Sequence, residues 1–258
     1  MNSPLITLTT DFGEEDWFVG TMKGVILGIN SGVRIVDITH QVPRGDMRAG
    51  AYALMASYRF FPLGTIHLAV VDPGVGSERR AIAALTPNGI FVGPDNGVLS
   101  WALHQETILE VRQLENMKWC KCPVSRTFHG RDIFAPMAAY LSLGKGFLNV
   151  GRKLRRIERL PWPQPARTKK GWRGEVLYID RYGNCMTNLT ATMAEETGGG
   201  SVRVARRRVR LGGFYQSVSA GEAVALVSSV GFVEIAINGG SAAQKLGVSV
   251  GTAVELRF

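Results

Sequence analysis

Short apolar runs alternate with longer stretches in which apolar residues recur every three or four positions along the first 150 residues. Residues 5–8, 34–38, 65–71 and 81–85 are rich in Val, Ile, Thr and Leu, and their length and bounds predict strands. Between them, 17–29 and 48–60 have helical spacing; in the first, Phe18, Met22, Val25 and Ile29 share one face. Residues 132–143 repeat this with Ile133, Met137, Tyr140 and Leu141. Strand and helix in alternation predict an α/β layer architecture around a mostly parallel sheet.

That pattern ends near Arg155. Leu160-Pro161-Trp162-Pro163-Gln164-Pro165 places three prolines in five residues, which suits neither regular element. Beyond it, 175–179, 202–204, 223–227, 232–237 and 253–256 read as short strands separated by glycine-rich turns, the pattern of a small antiparallel barrel or sandwich. The expected organisation is an α/β domain over 1–158, a proline-rich linker over 159–171 and a β domain over 172–258.

Composition narrows the class. With 45% hydrophobic and 20% charged residues the chain is expected to be globular, not disordered throughout. No run approaches the ~20 apolar residues that span a bilayer, and the N-terminus lacks a secretory pattern. Three cysteines with no partner clusters argue against a disulfide framework or a zinc site, so a reducing cytoplasm is expected. The net charge of +9 is local. Residues 152–173 carry nine basic residues and one acid, and 203–210 carry five arginines, leaving the rest of the chain acidic. Such runs fit a solvated face or a nucleic-acid surface, but no nucleic-acid motif accompanies them, and nucleic acid is not expected as a partner.

Candidate chemistry sits where strands end. Asp11 follows the first predicted strand and Asp72 the third, and in open α/β sheets ligands bind beyond the carboxyl ends of strands. Capping of the next element is an equally good use for either. Gly74-x-Gly76 matches no phosphate-binding loop. Arg79, seven residues after Asp72, could form a fixed ion pair with it. Asp132 reads as the N-cap or first-turn residue of the third helix, whereas His129 beside Gly130 has no such structural use. Asp180 and Asn184 bracket a turn, and 228–232 and 238–241 offer small polar groups.

Taken in order, TTDFG with Asp16 and Lys23-Gly24, VVDPGVGSERR, FVGPDNG, FHGRDIFAP, DRYGNCMTN and NGGSAA resemble the S-adenosylmethionine hydroxide adenosyltransferases, hydrolytic relatives of fluorinating and chlorinating enzymes. The resemblance runs from about Leu5 to Phe258. It implies an N-terminal α/β domain and a C-terminal β-barrel, assembled as a homotrimer or pair of trimers with sites at subunit interfaces. It also implies attack of activated water at the ribose C5′ of S-adenosyl-L-methionine, yielding adenosine and methionine, with no cofactor, metal or membrane.

Position by position, the resemblance assigns water activation to Asp72, Arg79 and His129, with Arg80 the neighbouring alternative to Arg79. Asp11 matches the acceptor for both ribose hydroxyls, and Asp16 and Asp180 match groups holding the methionine ammonium. Phe128, Asn184, Phe214, Ser229 and Asn238 complete the implied substrate contacts, Asn238 by adenine and Phe214 stacking on the base. Gly45 stands where relatives place an aromatic, Val230 where a halogenating relative has an arginine, and Gly130 where the fluorinating enzyme has a serine. An aspartate at 72, where halogenating relatives carry an aromatic, would repel a halide. The alternatives are a chlorinase-like halogenase and a non-catalytic S-adenosylmethionine- or adenosine-binding module that contacts RNA through its basic stretches.

Overall fold

The run opening the chain forms β1 (Leu5–Thr10), and alternation continues through α1 (Phe18–Ile29), β2 (Arg34–Thr39), α2 (Met47–Ser57) and β3 (Thr65–Val70). β4 (Ala81–Leu85), β5 (Gly89–Pro94), α3 (Ser100–His104), β6 (Glu110–Gln113) and α4 (Ala135–Ser142) follow. The structure, a computed structural model, describes residues 3–258. These elements belong to the first of two compact units, which meet in sequence between Leu160 and Pro161.

The sheet order is β2-β1-β3-β5-β4-β6. β1, β2, β3 and β5 are mutually parallel, and at one side β4 runs antiparallel to both of its neighbours, β5 and β6. β3 is buried along its whole length, as expected of a strand covered on both faces. Its residues alternate between two cores. Ile66, Leu68 and Val70 pack with Ile6 and Leu8 of β1, Met22 and Ile26 of α1, and Met137 and Ala138 of α4. His67 faces the other way, 5.0 Å from the Phe91 ring and 5.9 Å from Tyr58, and its Nδ1 is 2.9 Å from Thr7 Oγ1. Each fully buried Leu or Ile contributes about 1.5–3 kcal/mol.

The chain leaves β1 toward β2 on one side, and β3 lies on its other side, so the crossover direction reverses between β1 and β3. A crevice opens beyond the carboxyl ends of two parallel strands at such a point. Thr10 pairs with Val70, which sets Asp11 and Asp72 just past those two ends.

The second unit holds β7 (Ala166–Thr168), β8 (Gly171–Ile179), β9 (Cys185–Thr190), α5 (Ala191–Glu196), β10 (Ser201–Val204), β11 (Arg207–Leu211), β12 (Ala223–Val227), β13 (Phe232–Ile237), α6 (Ala242–Leu246) and β14 (Ala253–Arg257). Seven strands close in the order β14-β10-β11-β12-β13-β9-β8, with β14 pairing back to β8 and β7 added outside β8. The barrel differs from a purely antiparallel one at β11 and β12, which are parallel because a long connection carries the chain back before β12 begins. β7 and the start of β8 lie within 159–171, the segment expected to be linker. The barrel interior is filled by Val176, Leu189, Val202, Val209, Val233, Ile235, Val254 and Leu256.

Candidate active site

A cavity of about 530 Å³ lies at the β1–β3 switch point and is lined by Asp11, Asp16, Asp72, Phe128 and His129, among others. Phe12 and Phe18 form one apolar wall with Phe128: Phe128 meets both rings edge-on, at 5.9 and 5.1 Å. Neither Phe12 nor Phe18 stood out in the sequence, because aromatic residues at these positions read as core.

Asp72 and Arg79 lie on either side of the turn after β3. Arg79 Nε is 2.8 and 2.9 Å from the two Asp72 oxygens, and Nη2 donates to Oδ2 as well. Only 4% of the Asp72 side chain and 10% of Arg79 are exposed, so this pair is shielded from the screening that weakens surface ion pairs. The Arg79 guanidinium also lies over the Phe134 ring, 5.3 Å from its centroid. Arg79 Nη2 is 2.8 Å from His129 Nδ1. The three side chains therefore make one connected array, although 50 residues separate the arginine from the histidine. Arg80 does not belong to it: its guanidinium pairs with the buried Asp95.

Burial lowers the His129 pKa below its ordinary value, and the Arg79 cation lowers it further. The Asp72 and Asp132 charges and a hydrogen bond with the Ser125 backbone oppose the shift without cancelling it. His129 immediately precedes a π-helical turn, Gly130–Phe134, that leads into α4. Of the two uses the sequence suggested for Asp132, N-cap or first-turn residue, the structure has the second: it lies in the first turn of this segment, and His129 is at the cap position. Asp132 is fully buried, accepts from Ser125 N–H at 2.8 Å and is gripped by Arg131, which fixes the segment leading to Phe128 and His129.

Asp11 accepts from the Gly45 N–H at 2.8 Å, tying the cavity rim to the loop before α2. Gly45 has φ +70°, a left-handed turn conformation that suits the glycine found there. Asp16 is exposed at the rim. Among the described residues, no group of three or more His, Cys, Asp or Glu side chains is arranged to hold a metal ion.

The second unit has a cavity of its own, about 520 Å³, lined by Tyr182, Asn184, Tyr215, Ile237, Gly239 and Ser241, among others. Asn184 is thus in a cavity wall, while Asp180 lies behind it: Oδ1 accepts from the Tyr182 and Asn184 N–H groups, and Oδ2 from the Asn184 carboxamide at 3.1 Å. Asn238 is turned to structure, donating to the Val218 carbonyl at 2.8 Å. Phe214 and Ser229 are exposed and do not line the cavity; Tyr215, next to Phe214, does. The Tyr215 hydroxyl donates to Glu234 Oε1 at 2.9 Å. Burial and that contact push the Tyr215 pKa up to about 12, and burial raises Glu234. Neither residue was distinguishable in sequence from an ordinary turn aromatic and a strand residue.

The family model described as the SAM hydroxide adenosyltransferase N-terminal domain matches residues 6–151, and that of the C-terminal domain matches 174–255. A Salinispora tropica protein named (R)-S-adenosyl-L-methionine hydrolase is 40% identical, with 96% of each chain covered. A fluorinase from an Actinoplanes species is 28% identical over 76% of this chain and 75% of its own. A crystal structure of a Thermotoga maritima protein superposes with a TM-score of 0.92 at 37% identity, covering 97% of this chain and 98% of that one.

Proposed function

The chain belongs to the SAM hydroxide adenosyltransferase family, and on that premise we propose that it hydrolyses S-adenosyl-L-methionine to adenosine and L-methionine. The names of the similar hydrolases specify the (R) sulfonium epimer, which is taken as the substrate here too. The observation that carries the reading is the Asp72–Arg79–His129 array, of which Asp72 and His129 line a cavity whose other charged walls are Asp11, Asp16 and Arg44. Carboxylates suit a substrate bearing sulfonium and ammonium charges.

In the proposed reaction a water oxygen bonds to C5′ as the C5′–S bond breaks. The bonding pair goes to sulfur, methionine leaves as a neutral thioether, and one proton from the water is released. Loss of the sulfonium charge makes departure favourable, so alignment of the nucleophile with C5′–S is the main task left to the protein. Arg79 favours the developing hydroxide by its charge, Asp72 fixes the guanidinium, and neutral His129 orients the attacking oxygen through its Nε2–H. Asp11 holds the ribose hydroxyls and Asp16 the ammonium. No cofactor enters, and the reaction is placed in the cytoplasm. The proposed assembly is a homotrimer, alone or paired, which analytical ultracentrifugation tests.

Two features favour water over halide as the nucleophile. Asp72 places a carboxylate beside the reacting centre, where it repels an anion. A Cβ at Gly130 would lie 3.1 Å from Met22 Sδ and 3.1 Å from Phe128 Cε2, so a serine there would fit only if those side chains gave way by a few tenths of an ångström. Incubation of the protein with each sulfonium epimer, followed by chromatography for adenosine and methionine, tests the proposal. Absence of adenosine with folded protein and intact substrate rejects hydrolysis, and 5′-halo-adenosine as the major product in added chloride, bromide or fluoride rejects the choice of nucleophile.

A further inference from the structure

The arginine-rich strands of the second unit carry charge that the proposed reaction does not use, and strand register shows where it lies. Arg203 on β10 is opposite Arg208 on β11 and Glu255 on β14, and Glu255 is in turn opposite Arg173 on β8. Two residues along β10, Ser201 lies between Arg210 and Arg257. Side chains alternate across a strand, and the residues intervening on these strands, Val202, Val209 and Leu256, fill the barrel core. The outer face of four adjacent strands therefore carries five arginines against two carboxylates, Glu175 and Glu255. The Glu255 carboxylate is already held below its ordinary range, first by its hydrogen bond from Arg257 and then by the charges of Arg203 and Arg173.

A cavity of about 650 Å³ opens on this face. Lys169, Lys170, Arg203, Arg206, Arg208 and Arg257 line it, and no acidic side chain does. Lys169 and Lys170 come from the turn between β7 and β8, and Arg206 from the turn between β10 and β11. In the second turn Ala205 and Arg206 have φ of 46° and 63°, where glycine or asparagine is the ordinary choice. Like charges directly opposite one another weaken a sheet, and an outer face needs only polarity. An anion with several charges relieves both problems, and the arginine fork matches phosphate oxygens in particular. The cavity is of the size that takes a small ligand. Its sign is opposite to that of a site for a sulfonium substrate.

We propose that this cleft binds an oligophosphate, a small ligand with several closely spaced phosphates such as inorganic tripolyphosphate or a nucleoside triphosphate, at a site separate from the catalytic cavity of the first unit.

Calorimetric titration of the full chain with tripolyphosphate at low ionic strength should show saturable binding that weakens as salt is added. The double variant Arg203→Ala/Arg208→Ala should bind roughly tenfold more weakly or worse. The charge-matched control Lys118→Ala/Lys145→Ala, at exposed positions of the first unit, should bind as the parent does. Arg206→Gly separates charge from folding: glycine suits the left-handed backbone, so this variant should melt at a higher temperature and yet bind more weakly. ATP should compete with tripolyphosphate. The proposal is overturned if the parent shows no saturable binding, if the control pair weakens binding as much as the arginine pair, or if short single-stranded RNA binds while tripolyphosphate and ATP do not.

Discussion

Arg79 and His129 meet through a nitrogen that can only donate: Arg79 Nη2, already bonded to Asp72, lies 2.8 Å from His129 Nδ1. A guanidinium has no acceptor, so Nδ1 must present its lone pair, and the single proton of the neutral ring is on Nε2. Asp72 engages the same guanidinium through both of its oxygens. A change at Arg79 therefore releases a carboxylate and a histidine together.

Arg79→Ala should reduce turnover about a hundredfold, a loss of about 3 kcal/mol in transition-state stabilisation, while adenosine still binds. Arg79→Lys should recover little, because an ammonium cannot bridge both Asp72 oxygens and His129 in the same geometry. Arg80→Ala should instead leave the buried Asp95 without its ion-pair partner and lower the melting temperature more than the rate. Initial rates, adenosine calorimetry and thermal melts of the three variants separate these outcomes. Near-normal turnover by Arg79→Ala would remove the array from the mechanism.

Because burial and Arg79 lower the His129 pKa below 6.5, the ring stays neutral at neutral pH and somewhat below it. Turnover should hold as pH falls through 6.5 and decline only at lower pH, as the ring gains a proton beside a fixed cation. A kcat–pH profile measures this. His129→Gln should be slow and should lack that acid limb.

Asp11→Ala should raise KM and weaken adenosine binding with a smaller effect on kcat. It removes the proposed ribose acceptor and frees the Gly45 N–H that Asp11 now engages. Calorimetry with adenosine and a KM-against-kcat comparison test this. An unchanged adenosine affinity would exclude Asp11 from the ribose site.

Gly76→Ala should lower both stability and activity. Gly76 has φ +78°, and an added Cβ would lie 2.1 Å from the Arg126 carbonyl oxygen, so one of the two segments must move. Arg126 is just ahead of Phe128 and His129, and the displacement should reach the cavity. A loss on the order of 1–3 kcal/mol is expected, read from denaturant melts alongside rates.

His67 makes stability depend on pH away from the cavity. Burial lowers its pKa from 6.5 to about 4. Between those values the unfolded chain binds a proton that the folded chain does not, so the contribution is fully present above about pH 6.5 and is lost as pH falls toward 4. The loss amounts to about 3 kcal/mol. His67→Gln, neutral throughout, should show a shallower decline over this window in denaturant melts, and equal slopes for parent and variant would refute the assignment.

Local pattern by itself determined the α/β character of the first unit, the β character of the second, and the presence of Asp11 and Asp72 at strand ends. Period and strand length are properties of neighbouring residues, and they do not depend on what the strand later packs against. Strands whose buried content is small or interrupted were not legible in this way. β11 buries Val209 among exposed arginines, and the apolar run of β5 is cut to the three residues Ile90, Phe91 and Val92 between glycines, so neither stands out as a strand. The choice between Arg79 and Arg80 also had no local signal, since adjacent residues on an extended segment face opposite sides and only the partners across the fold tell them apart. Tertiary structure decided it by sending Arg79 to Asp72 and His129 and Arg80 to Asp95. The same holds for the arginines of the barrel: in sequence they are a run of like charge, and only the register of β8, β14, β10 and β11 gathers them on one face. Register is set by long-range pairing and closure, which no window of neighbouring residues contains.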